Sequence, residues 1–367
     1  MAGSGTSHLR SGEDALLRVE GLVVEYKAAR GQKLQAVSDL SFDVLQGETL
    51  GLVGESGCGK STTAKTVLML RRPTMGTISF EGRDLSALSR RELRRLRQRL
   101  QLVFQDPISS LNPKRKVKDI VAEGLAITHA PRPWEPKVND ALSAVGLDPA
   151  VVAERRPGEL SGGQCQRIAI ARVLVLDPVL IVCDEPVSAL DVSVQAQILN
   201  LLEDMKARYG LTLLFISHDL AVVKNISDRV AVMYLGKLCE VAPSDELYRA
   251  PRHPYTQALL NAIPIPDPFV SELPMLVSGD PPSQLDPPSG CRFRIRCPRA
   301  QERCALDEPI IRQAGDDHFV ACHFPIGEAV EKVAASVCRS ADTGEAIMHE
   351  LQGDPGDHSP TSGPDDS

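Results

Sequence analysis

The sequence predicts an α/β fold, a buried and largely parallel sheet with helices packed over it. Two continuous apolar stretches, residues 179–184 (VLIVCD) and 213–217 (LLFIS), read as strands covered on both faces. A third, residues 48–53 (ETLGLV), runs into a glycine-rich loop and then into a helix-compatible segment at 62–70. Strand, glycine loop and helix in that order is a supersecondary unit of such sheets.

The loop is GESGCGKST, from Gly54 to Thr62. It fits G-x-x-x-x-G-K-[ST], with Gly54, Gly59, Lys60 and Ser61 at the fixed positions. Polyphosphate brings several negative charges, so such a loop must turn backbone N–H groups inward, and glycine permits the unusual backbone angles this needs. The new helix adds its positive N-terminal dipole. Lys60 would neutralise β- and γ-phosphates, and the Ser61 hydroxyl would ligate Mg²⁺. The pattern points to a nucleotide site.

The 367 residues can hold two domains, or one large domain with an appendage. An apolar fraction of 43% fits a globular chain with a real core. The formal charge of −7 argues against a dedicated nucleic-acid binder. The start, MAGSGTSHLRSGEDALL, lacks the apolar segment of a signal peptide, and no run of about 18 apolar residues offers a membrane span. Of the nine cysteines, some, such as Cys183, fall in apparent core strands, which fits a reducing cytosol.

In chain order, residues 1–13 are small and polar and read as a disordered tail. Residues 16–26 and 34–44 read as strands. Tyr26, ending the first, is either a purine-stacking aromatic or an ordinary edge-strand tyrosine. Residues 89–100 read as a helix carrying Arg90, Arg91, Arg94, Arg95, Arg97 and Arg99 on a solvated face, with Leu93, Leu96 and Leu100 turned inward. Residues 102–104 form a short strand, and Gln105 just past it sits where parallel sheets place ligands. Residues 117–145 read as helical pieces broken by the prolines at 131–136, a lobe without a catalytic pattern. Ser161, Gly162, Gly163 and Gln164 open a helix over 166–176; they are either a second anion site or a plain N-cap with a glycine turn. The strand at 179–184 delivers Asp184 at its C-terminal end, a partner for Mg²⁺, with Glu185 next to it able to orient or deprotonate water. Asp191 precedes a helix over 193–209. His218 follows the strand at 213–217, where a histidine is either a γ-phosphate contact or structural.

Taken together, GESGCGKST, Gln105, LSGGQ, VLIVCDEP, SALD and His218 resemble the nucleotide-binding subunit of ATP-binding cassette (ABC) proteins over residues 14–263. The resemblance implies a P-loop NTPase of ABC type, with a mixed-sheet core, an antiparallel β part and a helical subdomain at about 106–176. It implies that Tyr26 stacks on the base, and that the loop from Gly54 through Glu55, Ser56, Gly57, Cys58, Gly59, Lys60, Ser61 and Thr62 cradles ATP. Ser61, Gln105 and Asp184 would serve Mg²⁺, Glu185 would be the general base and His218 the γ-phosphate sensor. Ser161, Gly162, Gly163 and Gln164 would meet the ATP held by a facing subunit, and Asp191 would contact that subunit. Cys165 departs from the usual long polar or basic residue.

Residues 248–266 (YRAPRHPYTQALLNAIPIP), with EGRDLSALSRRELRRLR and FQDPISSLNP, resemble the ATPase subunits of bacterial oligopeptide/dipeptide importers, nearest the F-type subunit. Nickel importers share these features, and a soluble ABC ATPase with a metal-bearing interaction module is the alternative of another class. The importer resemblance implies a sister ATPase, two membrane permease subunits, an extracytoplasmic peptide-binding protein and a peripheral place on the cytoplasmic face of the plasma membrane. Residues 264–330 form a small extension with Cys291, Cys297, Cys304 and Cys322 spaced C-x5-C-x6-C-x17-C. Four thiolates suit zinc or an iron–sulfur cluster, and the interleaved arginines would lower thiol pKa values. The resemblance to importer ATPases implies a [4Fe-4S] cluster there. Residues 331–367, acidic and rich in Gly, Pro and Ser, read as a disordered tail.

Overall fold

The computed structural model describes residues 5–10, 15–28, 31–263 and 279–327. Two sheets organise them. The first is antiparallel, in the order β2-β1-β4-β5, from β1 (Ala15–Lys27), β2 (Lys33–Leu45), β4 (Met75–Phe80) and β5 (Arg83–Asp84). The second has eight strands in the order β11-β12-β10-β9-β3-β8-β7-β6. Its parallel part comprises β3 (Thr49–Val53), β6 (Leu100–Val103), β7 (Leu180–Asp184), β8 (Thr212–Ser217) and β9 (Arg229–Tyr234). Its antiparallel edge comprises β10 (Lys237–Pro243), β11 (Arg312–Gly315) and β12 (His318–Val320).

Strands β3, β7 and β8 are buried at every position, as their unbroken apolar sequences require. Two clusters of side chains fill the two sides of the large sheet. Leu50, Leu52, Val182 and Leu214 pack with the antiparallel sheet, while Val53, Ile181, Cys183 and Phe215 pack with the helical part. Alternate residues of one strand serve opposite faces, so a single buried strand ties both layers together. The parallel register aligns Val53 with Ser217 and Asp184 with Ile216, and this brings the ends of β3, β7 and β8 to one edge. Ligands bind at that edge in open α/β sheets.

Between β6 and β7 the chain has helices and no strand. Helices Val117–Val121, Glu123–Ile127 and Glu135–Ala144 are short, as the proline cluster predicts, and pack on the longer helix Gly162–Leu174. The arginine segment departs in detail from its reading. Its helix spans Arg90–Leu96, and Leu100 opens β6 instead of closing the helix. Arg97 is half-buried, and its guanidinium donates to the carbonyls of Leu68 and Met69 at 3.1 and 2.7 Å.

Two boundaries also differ from expectation. Residues 5–10 of the anticipated tail are packed: His8 is buried with Nε2 donating to Ser41 O at 2.7 Å, and Arg10 pairs with Asp43 at 2.9 Å and Glu48 at 2.6 Å. Small polar composition hid two side chains whose partners lie more than 30 residues away. The cysteine-bearing extension is not a separate appendage among its described residues, because β12 pairs with β10 and widens the central sheet. Residues 264–278 and 328–330 of that extension, and all of the 331–367 tail, lie outside the described residues.

Candidate functional site

The glycine loop begins where β3 ends. Gly54 and Gly59 both have positive φ, 152° and 111°. A Cβ at Gly54 would stand 2.1 Å from the Met233 carbonyl oxygen, and one at Gly59 would stand 2.3 Å from that of Ala36. Close backbone approach as well as conformation therefore demands glycine at both places. The loop's back is pinned to the β9–β10 turn, where Gly236 N donates to Cys58 O at 2.8 Å. Cys58 itself is buried behind the loop, and burial raises its thiol pKa. The Lys60 ammonium donates to the Gly54 and Glu55 carbonyls at 2.6 and 3.0 Å.

In front of the loop lies a cavity of about 330 Å³ lined by Tyr26, Ser56, Gly57, Gly59, Lys60, Ser61, Thr62, Gln105 and Glu185, together with Gln284. Ser61 Oγ donates to Asp184 Oδ1 at 2.8 Å. Burial pushes the Asp184 carboxyl above the usual range, the Ser61 hydroxyl opposes the shift, and the neighbouring Glu185 charge adds to it. The Ser61 hydroxyl, the Asp184 carboxylate and the Gln105 amide oxygen, with Glu185 beside them, make an oxygen donor set that fits a hard divalent cation such as Mg²⁺.

Glu185 has φ +50°, an uncommon conformation for a residue with a side chain, which costs on the order of 1–3 kcal/mol. Its N–H donates to Ile216 O at 2.9 Å. Its carboxylate accepts from Gln105 Nε2 at 2.9 Å, and His218 Nδ1 stands 3.3 Å away on the other oxygen. Three residues placed after three different strands thus meet on one carboxylate. Tyr26 borders the cavity, with its hydroxyl 3.4 Å from Thr62 Oγ1. One face of its ring carries the Arg71 guanidinium at 3.6 Å from the centroid.

The LSGGQ segment lies elsewhere. Ser161 caps the helix Gly162–Leu174: its Oγ accepts from Gln164 N at 3.3 Å, and Gln164 Oε1 accepts from Ser161 N at 3.0 Å. Neither Ser161, Gly162, Gly163 and Gln164 nor the exposed Asp191 lines the cavity. Within one chain, the N-cap reading accounts for this segment.

Residues 37–188 match the ABC transporter family, and residues 239–304 match the C-terminal region of oligopeptide/dipeptide transporters. An oligopeptide transport ATP-binding protein of Haemophilus influenzae, OppF, is 47% identical over 324 residues, covering 84% of this chain and 97% of OppF. The chain belongs to the ABC transporter ATP-binding subunits. A Brucella ovis protein, provisionally named a peptide import ATP-binding protein, is 51% identical over 312 residues, 84% of this chain and 98% of that one. Among solved structures, Clostridium perfringens cbiO1, part of the ABC transporter complex cbiONQ, matches with TM-score 0.57 and 29% identity over 64% of this chain and 91% of its own. The ATP-binding cassette MJ0796, solved as a dimer in a post-hydrolysis state with ADP and Pi, matches with TM-score 0.57 and 26% identity over 62% of this chain and 98% of its own. As an ABC cassette this chain is an ATPase. Among its described residues no helix is long and apolar enough to cross a membrane.

The cysteine expectation requires correction. Each of Cys291, Cys297 and Cys322 is close enough to others of the four to feel their charge, but among the described residues no group of three or more His, Cys, Asp or Glu is set to hold a metal. The [4Fe-4S] cluster is therefore not supported. Nor do the arginines lower the thiol pKa values as the interleaving predicts. Burial raises Cys291 to about 11 and Cys322 to about 12, since most of the guanidinium groups are spent elsewhere. Arg292 donates to Leu235 O and Ser38 Oγ, Arg294 to Ser289 O, and Arg296 to Glu55. Arg299 alone is close enough to pull Cys297 down, against a larger effect of burial. Three residues at the loop escaped sequence reasoning: Gln284, Arg296 and Tyr255, whose hydroxyl accepts from Glu55 N at 2.9 Å.

Proposed function

We propose that the chain is the ATP-hydrolysing subunit of an importer of oligopeptides or dipeptides, paired with a second ATPase and acting on separate permease subunits at the cytoplasmic face of the plasma membrane. The observation that carries this reading is the division of the site. The glycine loop, Lys60, the Ser61–Asp184 pair and the Glu185 carboxylate share one cavity, while Ser161 and Asp191 are not part of its lining. Two chains packed head to tail would bring the LSGGQ segment of each to the nucleotide of the other. Each γ-phosphate then binds both chains, and its loss on hydrolysis lets them part.

Within a cavity the roles divide by chemistry. Inward N–H groups of the loop and the Lys60 ammonium hold phosphate oxygens. Ser61, Asp184 and Gln105 hold Mg²⁺, which when bound supplies charge neutralisation of the phosphates. Glu185 takes the proton of the attacking water, held in aim by Gln105 and His218. Tyr26, at the cavity's border, stacks on the base.

The permease subunit fits against a groove of about 410 Å³ between the sheet and the helical lobe, lined by Leu70, Arg94, Phe104, Ile127 and Arg172 among others. Phe104 is 41% exposed and immediately precedes Gln105, so motion in this groove reaches Glu185 through one peptide unit and one hydrogen bond. The family match at residues 239–304 and the OppF relationship support peptides as the cargo, and an extracytoplasmic binding protein would deliver them. The test is isolation of the complex from its native membrane, with ATP turnover measured alongside peptide uptake. Lys60→Ala should abolish both, and peptide uptake that persists in this variant would refute the assignment.

A further inference from the structure

The cysteine-bearing extension contacts the phosphate loop directly. Arg296 Nη1 and Nη2 donate to the two carboxylate oxygens of Glu55 at 2.7 and 2.9 Å, a bidentate pair in which the Arg296 side chain is only 7% exposed. Glu55 is the second residue of the loop, and every polar group it has is engaged. Its N–H donates to Tyr255 Oη at 2.9 Å, and its carbonyl accepts from Lys60 Nζ at 3.0 Å. Behind it, Phe293 packs edge-on to Tyr234 at 5.2 Å and against Tyr255 at 5.3 Å. Gln284 reaches the loop's outer lip, where its Nε2 donates to Gly57 O, and it lines the cavity.

A carboxylate one residue into a phosphate loop is an electrostatic liability, since the ligand brings several negative charges to the same place. Its effect depends on whether a cation stands beside it. Resting on the ATPase reading of the cavity, we propose that Arg296 is a positioning residue for ATP: it neutralises and clamps Glu55, so the extension completes the phosphate loop of its own chain. The extension acts through charge and geometry at Glu55, and Gln284 fixes the lip at Gly57.

Charge compensation makes a prediction of sign that a merely structural brace does not. Removing Arg296 leaves an unpaired negative carboxylate, whereas removing the Glu55 charge leaves a surplus positive one. Binding of a non-hydrolysable ATP analogue to the full-length chain would be measured for wild type, Arg296→Gln, Glu55→Gln and the double variant. Arg296→Gln should weaken binding about tenfold or more, equivalent to about 1.4 kcal/mol, and should raise KM more than it lowers kcat. Glu55→Gln should not weaken binding, and the double variant should return to within about threefold of wild type. The Arg296→Gln deficit should shrink between about 0.1 M and 1 M salt. Should Arg296→Gln fail to fold, Arg296→Lys, which keeps the charge, decides: affinity close to wild type supports the proposal, and a tenfold loss overturns it. Equal losses in both single variants, or wild-type affinity in folded Arg296→Gln, also overturn it. Lys60→Ala separates the two levels. Binding that survives it sinks the cavity reading itself, while loss in Lys60→Ala with no effect of Arg296→Gln sinks only this inference.

Discussion

Replacing Glu185 by Gln keeps the side chain's length and its capacity to accept from Gln105 Nε2, which now donates at 2.9 Å. It removes the negative charge and with it the ability to take a proton. General-base catalysis contributes about 10²- to 10⁴-fold, or roughly 3–5 kcal/mol of barrier. The loss in kcat should fall in that range, with KM for ATP nearly unchanged because Glu185 lies beside the glycine loop, Lys60 and Ser61 rather than among them. The two neighbours of the carboxylate scale the lesser variants. Gln105→Ala and His218→Ala each remove one of the contacts at 2.9 and 3.3 Å, and a hydrogen bond to a charged group is worth about 1.5–3 kcal/mol before solvent exposure reduces it. Each should therefore cost about tenfold, less than Glu185→Gln. The assay is single-turnover phosphate release with nucleotide retention measured in the same samples: Glu185→Gln should retain intact ATP. A Glu185→Gln rate within about threefold of wild type would remove Glu185 from the role of base.

The loop's shape is tested by three glycines. Gly54→Ala and Gly59→Ala drive a Cβ to 2.1 and 2.3 Å from backbone carbonyls and should abolish nucleotide binding, whereas Gly57→Ala, with φ +79° and open space around it, should cost only the left-handed backbone term of about 1–2 kcal/mol. Burial lowers the His253 pKa from 6.5 to about 4, and its Nδ1 accepts from Tyr255 N at 3.0 Å. Between those pH values the unfolded chain binds a proton that the folded chain refuses. Stability should thus fall by up to about 3 kcal/mol as pH drops from 6.5 to 4, and His253→Asn should flatten that part of the melting profile. Glu240→Ala would strip the buried acceptor of Arg252 N, His253 N and His318 Nε2, at 2.6, 2.9 and 2.6 Å. A loss of about 3–5 kcal/mol by chemical denaturation is expected, with faster hydrogen exchange in β12 before the rest of the sheet.

Much of this was legible in the sequence because it is written in short windows. Strands β3, β7 and β8 are unbroken apolar runs, and the glycine loop is nine consecutive residues. Glu185 and Asp184 could be placed because an apolar strand must deliver them at its end. What stayed hidden depends on partners far apart in the chain. Arg296 meets Glu55 across 241 positions, and no periodicity marks that pairing. Strand β12 is three residues long, too short for alternation to show, yet it joins the extension to the central sheet through β10. Arg10 and His8 look like tail residues until Asp43, Glu48 and Ser41 are beside them.

The account centres on a site completed by two chains. Its most direct test is the ATPase rate per chain across a dilution series that spans dissociation of the assembly, with light scattering on the same samples. The rate should follow the associated fraction and vanish among single chains. A per-chain rate that stays constant after the chains have separated would contradict the account.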